Sequence, residues 1–368
     1  MPIKTRFHRL LLVPALLSLL LAAWAGLLRL GWALPPFPAA DHGPLMISGF
    51  LGTLIALERA VALSASFKRG SWAYAAPLFS ALGAVALAVG TPHHMSVGLI
   101  TLGSLGLVII FLALVRRQFA LFSVMMALGA LCWMIGNVLW LMGQPIYHLV
   151  EWWIAFLVLT IAGERLELTR IMRHSRASQI IFMGIIGVYA GGLLLTTLQL
   201  DAGTALIGAS LFALGLWLFR YDIARRTVKQ TGLTRYIALC LLVGYGWLLV
   251  GGGLRLALGV QIAGVYYDAE LHSVLLGFVF SMILGHAPII LPAVLNVSMP
   301  FRQWFYIPLL LLHGSLILRI SADLSAAFAL RQWGGMFNVI AILLFLTMTG
   351  YVLYRANRPK RTDQRQKI

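Results

Sequence analysis

Apolar runs long enough to cross a bilayer follow one another almost without pause along this chain, and that repetition constrains the fold more than any motif. A spanning helix needs about 20 apolar residues. Runs of that kind fall at about 9–31, 43–63, 71–90, 94–115, 118–142, 147–167, 178–198, 202–220, 234–258, 269–291, 303–320 and 333–354. Of 368 residues, 61% are apolar and 11% charged, against about 25% charged in soluble domains. The expected fold class is therefore an all-α polytopic membrane protein of about twelve transmembrane helices. A single transmembrane domain is expected over 1–354, followed by a basic tail over 355–368. Lys4, Arg6 and Arg9 followed by Ala23-Trp24-Ala25 imitate a cleavable signal. The run continues through "GLLRLGWALPP", so the segment reads as a first spanning helix.

Charge orients the bundle. Twelve spans put both termini on one side, and with that side cytoplasmic the inner segments hold 24 of the 28 Lys and Arg residues. The outer ends keep four: Arg29, Arg255, Arg319 and Arg331. This asymmetry is the positive-inside pattern. It also explains the net charge of +17 without nucleic acid, because the cations sit in short loops where anionic headgroups are the natural partner. Cys132 and Cys240 lie inside apolar runs without a CxxC spacing and read as packing residues.

Helices two, six and ten share a pattern. They begin "DHGPLMISGFLGTLIALERA", "YHLVEWWIAFLVLTIAGERL" and "LHSVLLGFVFSMILGHAPII". Aligned on His42, His148 and His272, each has phenylalanine eight residues on: Phe50, Phe156 and Phe280. Sixteen residues on, two copies carry Glu58-Arg59 and Glu164-Arg165, and the third has Pro288. Helices four apart suggest three pseudo-repeats of four helices, a way of building membrane folds around a central site. The three histidines fall at one depth, at outer helix ends. They either anchor their helices at the interface or form a shared site, since histidine ligates haem iron and copper.

The remaining polar residues admit two readings each. His286 lies fourteen residues after His272, about 21 Å along a helix, so the two cannot share one metal ion. It serves a second site, or satisfies a carbonyl loosened by Pro288 and Pro292. Glu58-Arg59 and Glu164-Arg165 make an interfacial ion-pair network or a proton intake. His313, in the middle of helix eleven, is a ligand or a hydrogen-bonded packing residue. Arg255 and Arg319, at the depth of the three histidines, pair with Asp268 and Glu270 or with haem propionates. Asp41 reads as an N-cap. Asp41, Glu151 and Glu270 also flank the histidines and could orient an imidazole. The "GYGWLLVGGGLRL" stretch of helix nine suits close helix packing, not phosphate binding.

Histidines on helices two, six and ten of twelve resemble the main subunit of haem-copper oxidases. That resemblance implies His42 and His272 as an axial haem pair and His148 as a copper-side ligand. Helix seven has no histidine, where that family has an adjacent pair for copper, so a complete dioxygen-reducing centre is not implied. "DHGPLMISGF" and "LHSVLLGFVFSMILGHAPI" are similar to patterns of the NnrS family, twelve-helix proteins of the bacterial inner membrane. That likeness implies haem, copper or both, with a role in nitric oxide or respiratory redox metabolism. The site residues implied are His42, His148 and His272, with His286 and His313 behind them and Arg255 and Arg319 beside the cofactor. The implied partners are the lipid bilayer, a gas ligand such as nitric oxide and a redox partner. A small-solute transporter using Glu58, Glu164 and His286, and a cofactor-free assembly protein, stand as alternatives. No nucleophile–base pair, zinc motif or nucleotide loop marks a catalytic centre.

Overall fold

The computed structural model describes residues 3–66, 70–169 and 175–358. The cations Lys68, Arg69, Arg170 and Arg173, the histidine His174, the tail beyond residue 358 and the side chains of Lys4, Arg6, His8 and Arg9 lie outside the described residues. Twelve helices among the described residues are long and apolar enough to cross a membrane. They are α1 (Leu10–Arg29), α2 (Ala39–Ala65), α3 (Gly70–Ala88) and α4 (His93–Arg117). Then come α5 (Leu121–Leu141), α6 (Ile146–Thr169), α7 (Arg176–Leu195) and α8 (Leu200–Tyr221). The last are α9 (Gly232–Leu258), α10 (Gly264–Leu295), α11 (Gln303–Leu324) and α12 (Phe328–Ala356). No strand occurs among the described residues. In a bilayer this is the expected outcome, because a helix satisfies its own backbone.

The most polar departure from the apolar pattern is at the start of α10, five residues before its apolar run. Its first turns, "GVYYDAELH", are polar, yet Glu270 is buried. Arginines on neighbouring helices explain this: Arg319 of α11 holds Asp268, and Arg255 of α9 lies near Glu270. At the other end, Asn296 takes up a left-handed conformation (φ 51°) and stops the helix after Pro292.

Two helices widen just after their histidines. The chain is π-helical over Leu45–Gly52 in α2 and over Ser273–Val279 in α10. Such i→i+5 turns are frequent at functional sites in helices. Glycines let the widened backbones approach their neighbours: a Cβ on Gly52 would lie 2.2 Å from the Trp133 ring, and one on Gly277 would lie 2.4 Å from that of Trp247. Alanine at Gly277 is therefore expected to cost about 1–3 kcal/mol through overpacking. The check is thermal unfolding of the detergent-solubilised protein, with partial recovery when Trp247 is also made smaller.

Polar side chains inside the bundle pair with each other. Trp133 of α5 donates to Ser48 of α2 at 3.0 Å. Ser48 and Trp153 of α6 both donate to Asn137 of α5, at 3.3 and 3.0 Å. Arg165 of α6 makes a two-pronged bond to Asp222, after α8, at 2.8 and 3.1 Å. Cys132 and Cys240 are buried in the apolar core.

Candidate functional site

Five helices, α1, α2, α6, α10 and α12, surround two interior cavities, one near each end of the bundle. The first, at the histidine end, has a volume of about 520 Å³ and also touches α11. His42 and His272 both line it. Their rings lie 6.0 Å apart centre to centre and within 21° of parallel.

Each imidazole is oriented through Nδ1. His42 Nδ1 lies 2.7 Å from the carbonyl oxygen of Ala22 on α1. His272 Nδ1 lies 2.9 Å from the carbonyl of Asp268, one turn earlier, and 3.3 Å from its carboxylate. A carbonyl only accepts, so each Nδ1 carries the proton and each Nε2 presents a lone pair. Neither Nε2 has a hydrogen-bond partner among the described residues. Gly26 makes room for this arrangement, since a Cβ there would sit 2.9 Å from His42 Nδ1.

Three of the four exceptional outer-end arginines, Arg29, Arg319 and Arg331, line the same cavity. Arg319 forks onto Asp268 with two bonds of 2.8 Å. Arg331 approaches Asp323 at 2.6 Å and Asp268 at 3.5 Å. The Asp268 carboxylate thus holds His272 and two guanidinium groups in one network, with Arg29 as a further cation at the rim.

The other positions singled out in the sequence are placed apart. His148 is exposed at the start of α6, its ring against Tyr147, and does not line the cavity. Its phenylalanine, Phe156, stacks on Trp133 at 4.9 Å, whereas Phe50 and Phe280 face each other at 6.4 Å. The histidine register therefore joins α2 and α10 and leaves α6 out. Arg255 is also outside the cavity. It is buried against Glu151 at 2.5 Å and Glu270 at 3.7 Å, so those acids hold an arginine and not an imidazole. Asp41 occupies the N-cap position of the α2 turn at His42 but makes no capping bond through its side chain.

His313 is fully engaged: Trp247 Nε1 donates to its Nδ1 at 2.9 Å, and its Nε2 meets Ser281 Oγ at 3.3 Å. Among the described residues, no group of three or more His, Cys, Asp or Glu side chains is arranged to hold a metal ion.

The second cavity, about 370 Å³, lies at the carboxylate end and is almost wholly apolar. Glu58, Glu164, Thr160, Thr349 and His286 are its polar lining. Arg59 bonds Glu164 and lies 3.3 Å from Glu58, so the two Glu-Arg copies meet through one guanidinium. His286 Nδ1 bonds the Met282 carbonyl at 2.7 Å. That carbonyl is one turn back from His286, not one of those released by Pro288 and Pro292.

Twelve apolar helices closed around two internal cavities define an integral membrane protein. The chain belongs to the family described as Domain of unknown function (DUF8744), whose model matches residues 8–353, from the first span into the last. No curated protein and no solved structure matches the chain.

Proposed function

We propose that this protein holds a haem between His42 and His272 and serves electron transfer in the respiratory redox metabolism of a bacterial inner membrane. The imidazole pair carries this reading. Two imidazoles binding one metal ion from opposite sides, each nitrogen at about 2 Å, would have ring centres about 6 Å apart, and these rings are 6.0 Å apart. Their Nδ1 bonds fix the tautomer that leaves Nε2 free for a metal, as ligating histidines generally do. Arg29 is the cation at the rim for a propionate, with Arg319 and Arg331 behind it already paired with Asp268 and Asp323, and the cavity is otherwise mainly apolar. A haem bound there would supply one-electron chemistry. With both histidines holding a haem iron, no protein-free position would remain for a gas, which favours electron transfer over capture of nitric oxide. With the cationic loops and both termini in the cytoplasm, the histidine end faces outward. Copper has no corresponding support, because His148 and His313 stand apart from the pair.

The test is an optical spectrum of the purified protein, expressed with ample haem, before and after dithionite. A Soret band with a narrow reduced α band, unchanged by carbon monoxide, is expected; a featureless visible region would sink the proposal. Alanine at Gly26 pushes on the His42 ring and is expected to weaken haem retention about tenfold, the usual scale for disturbing a ligand's orienting partner. Haem loss to apomyoglobin measures it.

A further inference from the structure

The carboxylate end of the bundle carries a fixed patch of cations where α7, α8 and α9 meet. The connection from α8 to α9 reads "DIARRTVKQT". Its one acid, Asp222, turns inward, bound to Arg165 and accepting from the Ala224 amide at 2.7 Å. That anchor starts a single helical turn, Ala224–Thr227, with Ala224 buried and Val228 packed on the core. Arg225, Arg226 and Lys229 are left exposed, as are Arg220 at the end of α8 and Arg235 at the start of α9. Arg225 donates to the Arg220 carbonyl at 3.0 Å, and the Arg220 guanidinium lies 5.3 Å from the centre of the Tyr221 ring. Trp217 of α8 donates to the Ser178 carbonyl at 3.0 Å, which brings the exposed Arg176 of α7 to the same corner.

The acids at this end of the bundle are engaged elsewhere. Among the described residues, Glu58 and Glu164 gather around Arg59, half-buried Glu167 lies toward the same guanidinium, and Asp222 holds Arg165. The corner therefore calls for an anion from outside the chain, and the helix flanks beneath it narrow the class. Leu216 and Phe212 stand one and two turns from Arg220 on one face of α8, and both are exposed. Ile180 stands one turn from Arg176 on α7 and is also exposed. An occupant that sets phosphate on the cations and hydrocarbon along these side chains is a phospholipid. A soluble anion would leave the apolar flank uncovered.

We propose that this corner is a binding site for one anionic phospholipid of the adjoining leaflet, and that the buried Arg165–Asp222 pair fixes the turn that carries its cations. The proposal does not rest on the haem at the other end. Its test is native mass spectrometry of the purified full-length protein in a neutral detergent at low ionic strength. The protein is titrated with dioleoylphosphatidylglycerol, with dioleoylphosphatidylcholine and with the deacylated headgroup glycerophosphoglycerol. Saturable binding of the phosphatidylglycerol is expected, tighter than that of the other two. One cation beside an anionic headgroup is worth about fivefold in affinity, so R225Q/R226Q/K229Q should weaken it roughly a hundredfold. Those side chains are exposed, so the variant should keep the native melting temperature. R116Q/R355Q/R358Q removes the same charge from other helix ends on this side and should leave binding nearly unchanged. Equal affinity for the two lipids, or equal losses in the two triple variants, would overturn the proposal in favour of diffuse surface charge. Headgroup binding as tight as that of the lipid would overturn it in favour of a soluble anion.

Discussion

If haem is held as proposed, purified protein carrying His42→Ala or His272→Ala is expected to lack the low-spin haem spectrum, and the double variant should bind no more haem than either single one. The reason is geometric. In the proposed site both histidines would hold the iron, so removing either would leave it with one protein ligand, weaker retention and an open position. Any haem that survives in a single variant should be high-spin and should respond to carbon monoxide. Retained low-spin absorption in both single variants would contradict the assignment. Folding is monitored separately by size-exclusion profile and far-ultraviolet circular dichroism, since neither histidine is a large core residue. His313→Ala is the control: it should lower stability through loss of its bond from Trp247 without changing the spectrum.

The second large effect is structural. Arg165 and Asp222 have side chains that are 3% and 1% exposed. Asp222→Ala leaves the guanidinium buried without its counter-charge, an error that costs about 3–5 kcal/mol. It also removes the acceptor for the Ala224 amide, bonded at 2.7 Å. Asp222→Asn keeps an oxygen for that amide and should fall between alanine and the native residue. Arg165→Met combined with Asp222→Leu should recover much of the loss, because apolar replacement of a whole buried pair is often neutral. Thermal melts in one detergent across the four proteins provide the ranking. A double variant no better than Asp222→Ala would show that packing around the pair, not its charge, sets the stability.

The fold was largely legible in the sequence, because hydrophobic length is a blunt and repeated signal; each of the twelve apolar runs corresponds to a helix of the bundle. The error at the start of α10 has a clear cause. Asp268 and the polar turn before it fall outside a run chosen by hydropathy; the pairing of Arg319 and Arg255 with Asp268 and Glu270, one of the two readings of the sequence, is what the folded bundle holds.

The site was legible in part. The His42 and His272 spacings to Phe50 and Phe280 mark two helices that do meet face to face. The same spacing at His148 has no such consequence, since that residue lies in the exposed first turn of α6. Asp268 had a readable signal, being four residues before His272 and so directly over it on a helix. Arg29 and Arg331 carried the same signal as Arg319, a cation at the end of the bundle where cations are scarce. Gly26 had none: nothing distinguishes it from the other glycines until the His42 ring is seen against it. The widened turns after the two histidines were equally silent, because a change of hydrogen-bond partner along a helix needs no particular residue.

The facing phenylalanines have a consequence for the electric field. Phe280 borders the histidine-end cavity, Phe50 borders the carboxylate-end cavity, and Leu51 lines both. These apolar side chains separate the two recesses. A membrane voltage falls most steeply where the medium is least polarisable, so much of the potential, worth about 2.3 kcal/mol per charge for each 100 mV, would drop across a layer scarcely thicker than two aromatic rings. Charge moved across that septum would sense nearly the whole voltage, and charge moved within either recess would sense little of it.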